Sequence, residues 1–242
     1  MMNETEFQKE EQNPDSVVSR YRVPNWNRDD VNQQKLFLDK LDERFKVSFE
    51  YIALNCLVIV ILIIAFITDQ LSLILLALLV APIMIPIYGF AFGISLGSLK
   101  FVKKGLIALL SIGSLTFLSG LFSGFIISQL KMHDSVLWIY FNHFTWANFV
   151  LIFIGLLFAI TIILRNPKQN INIANVALAY GFYLPLAVSG FAVFGGKYAF
   201  VQNTLILFAV QFLFSVILGT FILSFSGVRA KGIKVIISFI FA

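Results

Sequence analysis

Residues 75–97 read LLALLVAPIMIPIYGFAFGISLG. The stretch carries no charge, and the uncharged run around it extends from Leu71 to Leu99. A hydrocarbon core about 30 Å thick needs roughly 20 apolar residues in a helix to cross it, so this run is long enough to span. Working outward, five more such runs emerge at Val47–Ile67, Gly105–Leu130, Trp146–Leu164, Ile171–Gly195 and Val201–Phe225. Glu50 sits at the entry of the first, where an interface can solvate it.

Composition agrees with a membrane protein. Of 242 residues 59% are hydrophobic and 13% charged, against roughly 45–50% and 25% in soluble domains. Eleven of the thirteen acidic residues fall between Glu4 and Glu50, leaving only Asp69 and Asp134 beyond, so a polar head precedes an apolar body. The net charge of +5 comes from Lys and Arg that flank apolar runs and form no basic face, which argues against nucleic acid as a partner. Cys56 is the only cysteine and lies inside an apolar run, which excludes an intrachain disulfide. The first apolar run begins near residue 48 and is long enough to stay as an anchor.

Orientation follows from the short connections, because Lys and Arg are retained on the cytoplasmic side. Lys35, Lys40, Arg44, Lys46, Lys100, Lys103, Lys104, Arg165, Lys168, Arg229, Lys231 and Lys234 fall on one side of an alternating six-span chain, and only Lys131 and Lys197 on the other. Both termini are therefore expected in the cytoplasm. Trp138, Tyr140, Trp146 and Tyr198 suit an outer aromatic belt. His133 and His143 share a loop with Asp134 but lack helical spacing and a third ligand, so no metal site is expected.

Segments two and five carry similar punctuation. Pro86 matches Pro185, and Gly89-Phe90-Ala91 matches Gly190-Phe191-Ala192 with two extra residues between. A duplication of three spans plus three puts the second copy upside down, an architecture that recurs in transporters. The fold class expected is therefore all-α integral membrane, with six transmembrane helices as two inverted three-helix repeats and helices two and five proline-broken near the midplane. Residues 1–46 form a cytoplasmic tail, 47–130 the first repeat, 146–225 the second, and 226–242 a cytoplasmic C-terminal tail. Within the first tail, Leu38, Leu41 and Phe45 beside Lys35, Lys40 and Arg44 predict an amphipathic helix at about 31–46 on the inner membrane surface.

Proline has no N–H and clashes with the carbonyl four residues earlier, so Leu78, Pro82 and Gly181 lose their helical partners. Unwound backbone at that depth is tolerated where it is buried in protein or lines a watery cavity. A midplane site is expected from Leu78, Pro82, Met84, Pro86, Tyr88 and Gly89 in segment two and Gly181, Tyr183, Pro185, Ser189 and Gly190 in segment five. Simple proline kinks are the alternative. Two stripes of small residues, Gly89, Gly93 and Gly97, then Thr116, Gly120 and Gly124, are expected to serve helix packing. Asn55, Ser111, Ser119, Thr161, Asn175, Gln211 and Thr220 are expected to hydrogen-bond between helices or to their own backbone.

The stretch that opened this reading, followed by Lys103-Lys104, resembles the signature of the domain of unknown function 389 family of prokaryotic hydrophobic membrane proteins. The later block NVALAYGFYLPLAVSGFAVFGG is similar to the second conserved block of that family. The resemblance covers about Tyr51 to Arg229 and is most specific at Ala81-Pro82-Ile83-Met84-Ile85-Pro86. Leu75-Leu76-Ala77 and Leu184-Pro185 stand where the family usually has Ile-Gly-Ala and Pro-Pro. The family has no established activity, so the resemblance implies a fold and leaves the function open.

No Asp, Glu, Lys, Arg or His occupies the middle of any span, which disfavours a proton relay and leaves sodium coordination by carbonyls and hydroxyls such as that of Ser189. Paired carboxylates and nucleophile–base constellations are also missing from the spans, so an enzyme is not expected and no cofactor is implied. The expected function is a transporter or channel-like permeation of an uncharged or backbone-coordinated solute. The alternative is a non-transporting scaffold or regulator acting through the cytoplasmic tail. Membrane lipids and a second copy of the chain are the expected partners.

Overall fold

The computed structural model describes residues 39, 41–43, 48–130, 145–165 and 172–226. Regular structure among them is entirely α-helical: α1 (Phe49–Thr68), α2 (Leu71–Val80), α3 (Met84–Leu96), α4 (Leu99–Leu130), α5 (Trp146–Arg165), α6 (Asn172–Phe194) and α7 (Tyr198–Phe225). Five helices are long and apolar enough to cross a membrane, and α2 with α3, bent by 43° at their junction, makes a sixth. The chain is a multi-pass helical membrane protein by that measure. Most of the tail helix expected at 31–46, the loop with His133, Asp134, Trp138, Tyr140 and His143, and nearly all of 226–242 lie outside the described residues.

Local chemistry sets the helix ends. The Ser48 side chain accepts the Tyr51 amide at 3.2 Å and caps α1, whose far end turns at Asp69 with φ 53°. α2 stops at Ala81, which is extended (φ −61°, ψ 122°) because the residue before a proline is pushed out of the helical region. α3 ends at Gly97, where φ is 64° and the Ser98 amide closes onto the Gly93 carbonyl at 2.8 Å. Gly97 was expected to pack in a small-residue stripe; it is instead the left-handed residue that terminates the helix, a conformation glycine adopts without a Cβ clash. α4 begins six residues before the expected span, taking Lys100, Lys103 and Lys104 into its first turns.

Each outer helix buries one stripe and leaves the rest apolar and exposed. On α1 the buried residues are Tyr51, Asn55, Val58, Leu62, Ala65 and Phe66, while Ile52, Leu57, Val60 and Ile64 face outward. That division suits a helix with lipid on one side and protein on the other. α6 differs: 78% of its span is buried, against 28–39% for the other four continuous spans, so it is the central helix. It packs on α2, α4, α5 and α7; α1 packs on α2 and α4, α3 on α4 and α7, and α5 on α7.

The break expected in helix five is absent, for α6 runs continuously from Asn172 to Phe194 with Pro185 inside it. One proline removes one donor, and the enclosing helices hold the chain on either side of it. In segment two, Pro82 and Pro86 remove two donors four residues apart, and the helix parts at Ala81-Pro82-Ile83.

Candidate functional site

The α2–α3 junction places non-helical backbone inside an apolar body. Ala81 and Ile83 are buried, and the Ile83 amide donates to the Ala81 carbonyl at 3.1 Å. Asn175, in the first turn of α6, reaches the same oxygen: its Nδ2 donates to the Ala81 carbonyl. Asn175 is 8% exposed, and its Oδ1 is buried with no hydrogen-bond partner. Leaving such an acceptor unmet costs about 1–3 kcal/mol.

A second polar node lies further along α6. The Tyr183 hydroxyl donates to Asn55 Oδ1 at 2.7 Å, and Asn55 Nδ2 donates to the Tyr51 carbonyl one turn earlier at 2.8 Å. Near the carbonyl that Pro185 frees, Gln211 of α7 brings its Oε1 to 3.5 Å from where a Cβ on Gly181 would stand, and that oxygen too is buried without a partner. Three carboxamides therefore approach α6 from within its own first turn, from α1 and from α7.

The residues expected to form one midplane site fall on three helices, α2, α3 and α6, and at the junction between the first two. Leu78, Pro82 and the Asn175 contact belong to the junction. Pro86 and Tyr88 are buried on α3, whose neighbours are α4 and α7. Pro185 is ten residues beyond Asn175, about 15 Å along the helix at 1.5 Å per residue. Ser189 is buried with its hydroxyl donated to the Leu186 carbonyl at 2.7 Å, so it is committed within α6. The side chain of Met84 lies outside the described set.

Gly89 and Gly190 make close helix contacts. A Cβ on Gly89 would stand 2.7 Å from Gly105 Cα, and one on Gly190 would collide with the Phe117 carbonyl oxygen. The packing residues expected on α4 meet α6 in the same way: a Cβ on Gly120 would collide with the Ala187 carbonyl, and one on Gly124 would stand 2.6 Å from the Phe191 oxygen. Gly93 lies against Val102, and Thr116 is buried beside them. The expected hydroxyl bonding also holds for Ser111, Ser119, Thr161 and Thr220, each donating to a carbonyl three or four residues earlier.

Outside the spans, Asp42 joins the tail to α4. Lys100 Nζ donates to its Oδ2 at 2.9 Å, and Lys104 Nζ to its Oδ1 at 2.7 Å and its backbone carbonyl at 3.0 Å. Partial burial pushes this carboxyl up, but the lysine hydrogen bonds outweigh it and hold the group below its ordinary value. Leu41 beside it is fully buried. Among the described residues no three His, Cys, Asp or Glu side chains cluster as metal ligands. An apolar groove of about 630 Å³ between Trp146, Phe149 and Phe153 of α5 and Phe214 of α7 lies away from the junction.

The role of Asn55 and Asn175 was hidden in sequence among several polar residues. Their signal was chemical type: a carboxamide offers donors and an acceptor where a lone hydroxyl can fold back on its own helix.

A sequence profile described as Domain of unknown function (DUF389) matches residues 78–218, more than half of the chain. No curated protein and no solved structure matches.

Proposed function

The chain belongs to the DUF389 family, and from that premise we propose that it is a permeation protein, a transporter or channel-like path for an uncharged or backbone-coordinated solute. The observation that carries this reading is the interrupted second span, whose Ala81 carbonyl is met inside the protein by a buried carboxamide. Non-helical backbone at membrane depth is kept where protein or a watery path satisfies it.

We read the two halves as an inverted repeat, which would suit the same function. Exchanging α1 with α5, α2–α3 with α6, and α4 with α7 turns the set of main helix neighbours into itself. The pair left in place by that exchange is α2 with α6, the pair that the Asn175–Ala81 contact joins. Tyr88-Gly89-Phe90 and Tyr180-Gly181-Phe182 repeat a triplet, with Gly89 against Gly105 of α4 and Gly181 beside Gln211 of α7. In this reading the protein lies in a prokaryotic cytoplasmic membrane with both ends inside, as the lysine and arginine distribution favours.

The test is flux in proteoliposomes. Glycerol and urea serve as uncharged probes, and alkali cations are followed with an entrapped indicator. Flux above protein-free vesicles is expected, and its loss in a folded Pro82→Ala, Pro86→Ala double variant. Absence of flux for all probes, or equal flux in the double variant, overturns the reading. The Asp42 ion pairs favour a second role, with the cytoplasmic tail regulating the bundle on which it docks.

A further inference from the structure

We infer that the α2–α3 junction binds a monovalent metal cation, held by backbone carbonyl oxygens freed there and by the carboxamide oxygen of Asn175. This rests on reading the junction as the working site of the protein. It adds what occupies that site.

Acceptors at the junction lack donors. Pro82 and Pro86 have no N–H, so the Leu78 and Pro82 carbonyls lack their helical donors. Asn175 Oδ1 is buried without a partner, although the Nδ2 of the same side chain is used. Hydrocarbon offers no water to satisfy such oxygens, and each left bare is costly. A cation supplies the positive charge that missing donors would have supplied.

The charge of the ion follows from the ligands. Calcium and magnesium are held largely by carboxylates, and among the described residues no acidic cluster exists. Neutral carbonyl oxygens suit alkali cations, whose hydration shell they replace.

Asn175 explains how the site persists when empty. With Nδ2 turned to the Ala81 carbonyl, the amide itself acts as the donor. A half-turn of the carboxamide about Cβ–Cγ exchanges Nδ2 for Oδ1 and brings two oxygens together at that point. Those oxygens repel each other at hydrogen-bond range, so the flip requires the two groups to move apart as a cation enters to bridge them, and binding and the amide flip are one event.

The test is thermal unfolding of the purified full-length chain in detergent, in chlorides of lithium, sodium, potassium and choline at equal ionic strength. At about 300 mM, one alkali salt is expected to raise the midpoint by ~3 °C or more over choline, saturating with concentration. Asn175→Ala is expected to lower the midpoint equally in all four salts, erasing the difference. Asn175→Asp, which keeps the shape and an oxygen ligand, is expected to retain it.

Equal wild-type midpoints in alkali and choline chlorides would overturn the inference and leave water as the occupant. So would a cation-dependent rise that survives in Asn175→Ala. Should that variant fail to fold, loss of the difference in folded Asn175→Asp overturns it as well. Because the readout is stability, its failure leaves permeation of uncharged solutes standing. Failure of the flux experiment leaves a structural cation at the junction untouched.

Discussion

Segment two of the first half and segment five of the second carry matching proline and glycine punctuation, yet one is two helices and the other is one. α2 and α3 meet at a 43° bend with Ala81 extended. α6 continues through Pro185 at the centre of the bundle. Proline alone therefore does not decide between a break and a continuous helix. Two prolines four apart withdraw the donors of the Leu78 and Pro82 carbonyls in adjoining turns, and Asn175 meets the Ala81 carbonyl between them from outside. One proline withdraws a single donor, and close neighbours on every side hold the backbone to its helical path.

Those neighbours can be attacked directly, and there the largest effect is expected. A Cβ on Gly120 or Gly190 meets backbone oxygen, which no rotamer change can relieve. Gly120→Leu and Gly190→Leu should each cost more than the ~1–3 kcal/mol of ordinary overpacking. The expected outcome is loss of the monodisperse peak in size-exclusion chromatography. Gly113→Ala is the control, since its Cβ would find only Leu186 at an ordinary 3.8 Å. A stable, monodisperse Gly190→Leu would show that α6 is not held by α4.

The polar tie between the halves comes next. Tyr183→Phe removes the donor from Asn55 Oδ1 and leaves that oxygen buried. A cost of ~1–2 kcal/mol in thermal unfolding is expected, in the upper range for hydrogen bonds between membrane helices. Asn55→Leu with Tyr183→Phe should recover part of it, because both polar groups are then gone.

The prolines themselves should respond with opposite signs. In α6, Pro185→Ala restores a donor for the Gly181 carbonyl in a helix that is already continuous, so a gain of up to about 1 kcal/mol is expected. At the junction, Pro82→Ala frees a conformation that proline had preset, so a loss of ~0.4–1 kcal/mol is expected. Thermal midpoints of the two single variants decide it, and equal signs would mean that the two segments respond alike.

Much of this was legible in the sequence. The apolar runs gave the spans to within a few residues because a 30 Å hydrocarbon core leaves little choice of length. The small-residue stripes pointed to helix contacts, and Gly120 and Gly124 make them. The difference between Pro82 and Pro185 was not legible, since it depends on which helices surround each one. The pairing of Asn175 with Ala81 joins residues 94 apart, and no local pattern encodes it. Gly97 shows the same limit: spacing by four placed it in a stripe, while its backbone had turned left-handed.

The smallest expected effect concerns the ion pairs between the N-terminal tail and the first half. Asp42 lies between Lys100 and Lys104 near the start of α4, where a carboxylate also complements the positive helix end. Its carboxyl is held below the ordinary value, so the stability it contributes is complete above the unfolded-state value and fades as pH falls through the folded one. Partly exposed pairs of this kind are worth ~1 kcal/mol or less and are screened by salt. Asp42→Asn should therefore lower the thermal midpoint slightly at pH 7 and low ionic strength. The gap between variant and wild type should close at pH 3 or in 1 M salt. A gap that stays constant across pH and salt would mean that Asp42 acts through packing beside Leu41 and not through its charge.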